Sequence, residues 1–206
     1  FYSAELHVLN TLKELDHYPN RGHVEYAGLP TEQPGTRIVW PAGARRRIFA
    51  YLKPFEAIDA LFELLNKLEL PSIVAFDGPV SDLKHKHSSD TLAFAAPSIN
   101  LAQMAHECFL AITNGNHTTT ARLLLAGKPV MVIPLHLEQE LIASAVVRLG
   151  AGAVVRPNEP HDAYRQLAEL LNQQKYHEAA REFSAKYQYG GAVSSIERLI
   201  DRLTSK

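Results

Sequence analysis

The sequence predicts an α/β fold: one parallel sheet with helices on both faces and a helical C-terminal tail. Three observations carry this. Short, continuous apolar runs recur between residues 46 and 155, as strands buried on both faces require. Segments with helical spacing alternate with them, the pattern of βαβ units. Glycine and proline stand at the joins, where the chain must turn.

The elements follow in order. The first forty residues are irregular and rich in Pro and Gly. Their one strand candidate, His23 to Ala27, is stopped by Gly28 and Pro30. Pro34, Gly35, Pro41 and Gly43 come next, so this stretch is expected to be a lead-in and not core. Arg46 to Leu52 is a strand candidate. Pro54 to Leu68 has helical spacing, with Phe55, Ile58, Leu61, Phe62, Leu65 and Leu68 on one face. Ser72 to Phe76 is a strand closed by Asp77, Gly78 and Pro79, and a polar loop carrying His85 and His87 follows. Thr91 to Ala95 is a strand, Leu101 to His106 a helix, and Phe109 to Thr113 a strand. Thr118 to Ala126 is a helix stopped by Gly127 and Pro129, and Val130 to Ile133 is a strand. Leu137 to Leu149 is a helix stopped by Gly150, and Ala153 to Val155 is a last short strand. Three helices are expected from Pro160 onward, the final one with Ile196, Leu199, Ile200 and Leu203 on one face. The expected organisation is a single domain over 1–206: lead-in 1–44, α/β core 45–156 and C-terminal helices 157–206.

Composition narrows the function. Lys+Arg number 21 against 22 Asp+Glu, a net charge of −1, which argues against a nucleic-acid partner. The single cysteine, Cys108, excludes an internal disulfide framework and a Cys-based zinc cluster. It fits a reducing compartment, so the expected location is cytoplasmic, at most peripheral to a membrane. The longest apolar region, Leu123 to Leu135, is broken by Gly127, Lys128, Pro129 and Pro134, so no membrane span is expected. No basic start leads into an apolar stretch, so no signal peptide is expected within the chain. The chain opens on Phe1, and the expectation is a processed protein or a fragment of a longer one.

In open α/β sheets, ligands bind beyond the carboxyl ends of the strands. By position, three loops qualify: Lys53-Pro54, Asn114 to Thr120 and Leu135 to Glu140. In the second, Gly115 permits a tight turn, and Thr118 to Thr120 bring hydroxyls and free backbone N–H groups to a helix N-terminus suited to phosphate. The plainer alternative is that Asn and Thr only cap the helix. In the third, Glu138 and Gln139 can together accept from and donate to adjacent sugar hydroxyls. The plainer alternative is that acids favour a first helical turn. His85 and His87, flanked by Asp82 and Asp90, lack a completed ligand spacing, so a solvated loop is expected there and no metal site. Neither a Gly-x-Ser-x-Gly elbow nor a GxxxxGK[ST] phosphate loop is present. His106-Glu107 lacks the second histidine of a zinc-protease motif.

The run NGNHTTTARLLLAGKPVMVIPLHLEQELIASAVVRLGAG, Asn114 to Gly152, resembles the C-terminal domain of the inverting nucleotide-sugar glycosyltransferases built from two Rossmann-like domains. These include the UDP-glycosyltransferases, the antibiotic glycosyltransferases and, more distantly, MurG. Ala126-Gly127-x-Pro129, Pro134, Gln139 and Leu149 to Gly152 match that family's pattern. ELDHYP (Glu14 to Pro19) and EYAGLP (Glu25 to Pro30) resemble the segment that enters the domain. The departures are Asn114 for the diphosphate-touching His, Asn116 and Thr118 for glycines, and Arg122 for a ribose-binding Glu. Lys53-Pro54 also replaces a Gly-Ser pair, and Glu138 replaces Asp.

The resemblance implies a Rossmann-like domain that binds a nucleotide-diphospho-sugar, a UDP- or dTDP-sugar, for inverting transfer without metal or further cofactor. It implies phosphate contacts from Asn114, Gly115, Asn116, His117, Thr118 and Thr119, with Lys53 beside the phosphates. It further implies sugar contacts from Glu138 and Gln139, and base contacts at Ala96 and Ser98. Arg122 cannot accept from ribose hydroxyls but could pair with a phosphate. The general base and acceptor pocket of such enzymes lie in an N-terminal domain that this chain does not contain, so the chain alone is expected to be inactive in transfer. Two alternatives stand beside this: a non-catalytic partner or regulatory module that has lost donor binding, and an unrelated doubly wound enzyme such as a nucleotide-sugar epimerase.

Overall fold

In the computed structural model, residues 7–18, 22–31, 34–43 and 46–188 are described. The first two strands are short: β1 (Val8–Leu9) and β2 (Glu25–Tyr26) pair in parallel within the lead-in. A six-stranded parallel sheet follows, of β3 (Ile48–Leu52), β4 (Ser72–Phe76), β5 (Leu92–Ala95), β6 (Leu110–Thr113), β7 (Val130–Val132) and β8 (Gly152–Val154). Between and after them lie α1 (Ile58–Leu68), α2 (Ser81–His87), α3 (Leu101–Glu107), α4 (His117–Leu125), α5 (Leu137–Arg148), α6 (Pro160–Asn172) and α7 (Gln174–Gln188).

The sheet order is β5-β4-β3-β6-β7-β8, and every neighbouring pair is parallel. The chain starts in the middle, builds outward to β5, then crosses back beside β3 to build the other half. The reversal between β3 and β6 is the topological switch point, beyond whose carboxyl ends such sheets hold their ligands.

Side chains alternate between two cores because successive strand residues face opposite ways. Phe49, Ile73, Ala111, Val130 and Val132 pack with residues of α3, α4, α5 and α7. Ile48, Ala50, Leu52, Val74, Phe76, Ile112 and Met131 pack with residues of α1 and α6. Both faces are therefore covered, which is why these strands read as continuous apolar runs. Each buried Leu, Ile or Phe contributes about 1.5–3 kcal/mol through loss of its water contact.

The expected fold class is borne out, and four expectations change in detail. The segment carrying His85 and His87 is not a loop but the helix α2. His87 is only 4% exposed, packs edge-on against Phe62 (ring centroids 5.5 Å apart) and bonds Asp59 Oδ1 through Nε2 at 2.7 Å. The lead-in joins the core, since Leu12, Leu15, Ala27 and Trp40 are buried. Its strand is Glu25–Tyr26, shorter than His23 to Ala27. The helix expected from Pro54 begins at Ile58. The third C-terminal helix, with Ile196 and Leu203, lies outside the described residues.

The lead-in is held by polar ties to the helices. Arg148 Nη2 donates to Glu14 O at 3.3 Å, and the Glu14 carboxylate accepts from Lys186 Nζ and Tyr187 Oη of α7. Thr36 then lies alongside the loop after β5, its N–H donating to Ser98 O and its carbonyl accepting from Asn100 N, both at 2.8 Å. Gly35 makes that approach possible: a Cβ there would stand 2.4 Å from Ile99 O.

Candidate functional site

The switch point is pinned by one side chain. Asn114 follows β6 and is 1% exposed. Its Oδ1 accepts from Lys53 N, just past β3, at 2.6 Å, and its Nδ2 donates to Ile133 O, just past β7, at 2.8 Å. A single amide thus ties three strand ends together and satisfies two backbone groups that leave the sheet there. Both ends of the Asn114 side chain face the protein.

Gly115 turns with φ +87°, and its N–H donates to Thr113 Oγ1 at 3.1 Å. The same hydroxyl lies 3.2 Å from Thr120 Oγ1, so Thr120 points into the core while its N–H closes the first turn of α4 on Asn116 O. Asn116 precedes α4 but makes no side-chain cap. Its Oδ1 instead accepts from Gln139 Nε2 at 3.0 Å. Gln139 is 3% exposed, and its Oε1 accepts from Leu135 N at 2.8 Å. That bond resembles the back-reaching half of a capping box, with the third helical residue serving an N–H ahead of its own helix. The N–H groups of His117, Thr118 and Thr119 are left at the start of α4 without a side-chain cap, and orphan donors of this kind suit an anion.

The remaining candidates fall around this centre. His117 is half-buried, with Nε2 at 2.6 Å from Thr11 Oγ1 of the lead-in. Burial, then the nearby His17, pushes its pKa below the ordinary imidazole value, and Glu138 opposes them. Glu138 is exposed in the first turn of α5. Lys53 Nζ stands 3.5 Å from Asp77 Oδ2. Arg122 donates through Nη2 to Pro30 O of the lead-in at 2.6 Å. Ala96 and Ser98 are exposed after β5, which β4 separates from β3.

The structure therefore brings together Lys53 (through its backbone), Asn114, Gly115, Asn116, His117 and Gln139. It sets Arg122 toward Pro30, and it sets Ala96 and Ser98 two strands away from Lys53. Thr11 and Thr113 join the site without having been singled out in the sequence. Thr11 is 106 residues from His117, and no local pattern marks such a pair. Among the described residues, no group of three or more His, Cys, Asp or Glu side chains could hold a metal. None of the described helices is long and apolar enough to cross a membrane.

A doubly wound parallel sheet with an uncapped helix start at its switch point defines a Rossmann-like domain, and its relatives specify the kind. The kitacinnamycin glycotransferase superposes with a TM-score of 0.79 at 16% identity, over 96% of this chain and 54% of that one. SnogD from Streptomyces nogalater gives 0.72 at 20% identity, over 95% and 56%. The spinosyn rhamnosyltransferase SpnG, solved with thymidine diphosphate, gives 0.73 at 19%, over 91% and 54%. In sequence, the PGL/p-HBAD biosynthesis rhamnosyltransferase of Mycobacterium bovis (strain BCG / Pasteur 1173P2) is 31% identical over 121 residues, 57% of this chain and 26% of its own length. The uncharacterized UDP-glucosyltransferase YojK of Bacillus subtilis (strain 168) is 24% identical over 113 residues, 53% of this chain and 28% of its own. No family model matches the chain. The resemblance to two-Rossmann-domain glycosyltransferases is borne out: the fold is theirs, and the sequence relatives are glycosyltransferases. The chain spans about half of each solved neighbour and about a quarter of each curated relative.

Proposed function

We propose that the chain is the donor-binding half of an inverting glycosyltransferase and that it binds a nucleotide-diphospho-sugar at the switch point. The observation that carries this is the start of α4. Its N–H groups at His117, Thr118 and Thr119 carry no side-chain cap, and the helix follows directly on β6 at the switch point between β3 and β6. Backbone donors fixed in place by Asn114 and Gln139 would stabilise the charge that grows on the departing diphosphate. In this reading Asn114 and Gln139 position the loops, while Glu138 and His117 face the ligand. Lys53 would add a cation nearby, and Ala96 and Ser98 would flank the base. The chemistry needs no metal. The acceptor and the general base would come from an N-terminal domain, so the chain alone would not transfer sugar. A cytoplasmic location suits such a donor and suits Cys108, whose burial pushes its thiol pKa up to about 12 and leaves it inert.

Calorimetric titration with UDP and dTDP tests the reading. Saturable binding is the expected result, and no binding at millimolar nucleotide would refute it. A second reading, a module that kept the fold and lost the donor, is favoured by one specific observation: the Asn114 and Gln139 side chains are turned inward and bonded to the protein.

A further inference from the structure

We propose that the amino end of the sheet carries a second anion site, in which Arg46, Lys128 and Arg181 bind a phosphate-class oxyanion. This site is independent of the donor-binding reading and lies at the opposite end of the strands from the switch-point loops.

Three separate elements deliver the cations. Arg46 stands two residues ahead of β3, Lys128 two residues ahead of β7, and Arg181 on α7. Phe109, directly ahead of β6, joins them. The Arg46 guanidinium lies 5.3 Å from the centre of the Phe109 ring, and the His177 ring of α7 lies 4.2 Å from the same centre. Arg181 runs against the turn that carries Lys128: a Cβ added at Gly127 would stand 3.4 Å from Arg181 Cγ. His177 is the common neighbour. Burial lowers its pKa, the bond with Leu170 O opposes that, and Arg181, Arg46 and Lys128 each lower it further. One imidazole thus feels all three cations.

The fold holds these cations without neutralising them. Arg46 Nη1 donates to Leu171 O at 3.1 Å, and Lys128 Nζ donates to His106 O at 3.0 Å. Both acceptors are carbonyls in the last turn of a helix, which fix the side chains but carry only a partial charge. Among the described residues no carboxylate forms an ion pair with any of the three, Glu178 and Glu182 of α7 included, and the Arg181 guanidinium makes no hydrogen bond.

The charge decides the ligand class. A phosphate monoester carries about −1.5 to −2 near neutral pH and offers three acceptor oxygens, which suits a cluster of three cations around a neutral imidazole. A single carboxylate would leave most of that charge unmatched. Guanidinium forks also pair with two phosphate oxygens at once.

The test titrates the whole chain with inorganic phosphate against chloride at constant ionic strength, following the imidazole resonances of His177 and His117. A second arm measures cosedimentation with phosphatidylcholine vesicles, with and without phosphatidic acid. Phosphate is expected to saturate and to raise the pKa of His177, because a bound dianion offsets the cations that hold it down. Arg181→Gln and Lys128→Gln are each expected to weaken binding about fivefold with thermal melts unchanged, and Lys128→Arg to retain it. Saturation by free phosphate assigns a soluble ligand, and sedimentation that requires phosphatidic acid assigns a lipid head group. The proposal is overturned if neither arm binds, if chloride serves as well as phosphate, or if both Gln variants bind like wild type. It is equally overturned if phosphate moves His117 alone, since that response reports only the start of α4.

Discussion

Gln139 Nε2 donates to Asn116 Oδ1 at 3.0 Å, and that bond occupies the side chain best placed to cap α4. Gln139→Leu should break it and also strip Leu135 N of its acceptor. An unmade bond at a buried donor costs about 1–3 kcal/mol, so urea unfolding should show a loss of that order. Freed, Asn116 can accept from the N–H groups of α4 and compete with an anion. Nucleoside diphosphate binding should therefore weaken as stability falls. Unchanged stability would show that the loop bond contributes nothing.

Gly115→Ala should separate the same two loops from the other side. Gly115 has φ +87°, and an added Cβ would lie 2.9 Å from Gln139 O and 3.0 Å from Val132 Cγ1. A side chain at positive φ costs about 1 kcal/mol or more before crowding is counted. In a chain of this size each kcal/mol lowers Tm by roughly 2–4 °C. A calorimetric Tm equal to wild type would contradict this.

Arg122→Glu should act on the lead-in. The guanidinium donates to Pro30 O at 2.6 Å, and a carboxylate in its place would face that carbonyl oxygen. A partly exposed charge-assisted bond of this kind is worth about 1 kcal/mol. Amide exchange at Ala27 to Leu29 should accelerate while the sheet strands keep their protection. If exchange there is unaltered, the tie is of no consequence.

Acid should destabilise the fold in the imidazole range. Burial, followed by His17, lowers the pKa of His117 against the opposing effect of Glu138. Burial also lowers the pKa of His177, outweighing the bond to Leu170 O, with Arg181, Arg46 and Lys128 adding to the fall. Near and below the ordinary imidazole value, about 6.5, the unfolded chain then binds more protons than the folded one. Unfolding free energy must therefore fall as pH drops from 7 through this window, and flatten above it. Denaturation curves from pH 8 to pH 5 check this, and His117→Gln should reduce the slope. A slope of zero across that range would contradict the shifts.

Most of the sheet was legible in the sequence because buried parallel strands are short apolar runs bounded by Gly or Pro. Ser72 to Phe76 was read to the residue. The helix α2 was not, since SDLKHKH has one large aliphatic side chain and no helical stripe. Its place depends on His87 meeting Asp59 and Phe62 from another helix. The loops that carry Asn114 and Gln139 are legible in the sequence as turns at strand ends, but the bonds their side chains make within the fold are not. Asn114 and Gln139 resemble ligand-binding residues by position, yet their partners lie 61 residues away at Lys53 and 23 residues away at Asn116. Short-range patterns cannot show a bond over such a distance, and so they cannot show which side chains the fold consumes. Leu12 and Leu15 escaped notice as core for the same reason: the lead-in between them and the sheet is broken by Pro and Gly.

Glu14 is bonded to Lys186, 172 residues later in the chain. On a ribosome the carboxylate is made well before its partner. The sheet can assemble strand by strand as it emerges, and the lead-in can meet Arg148 of α5 early, but the Glu14 carboxylate gains Lys186 and Tyr187 only once α7 has left the exit tunnel. The clasp of Glu14 onto α7 therefore closes only after all six strands of the sheet have been made, and a nascent chain stalled before α7 would carry the sheet with that one clasp still open.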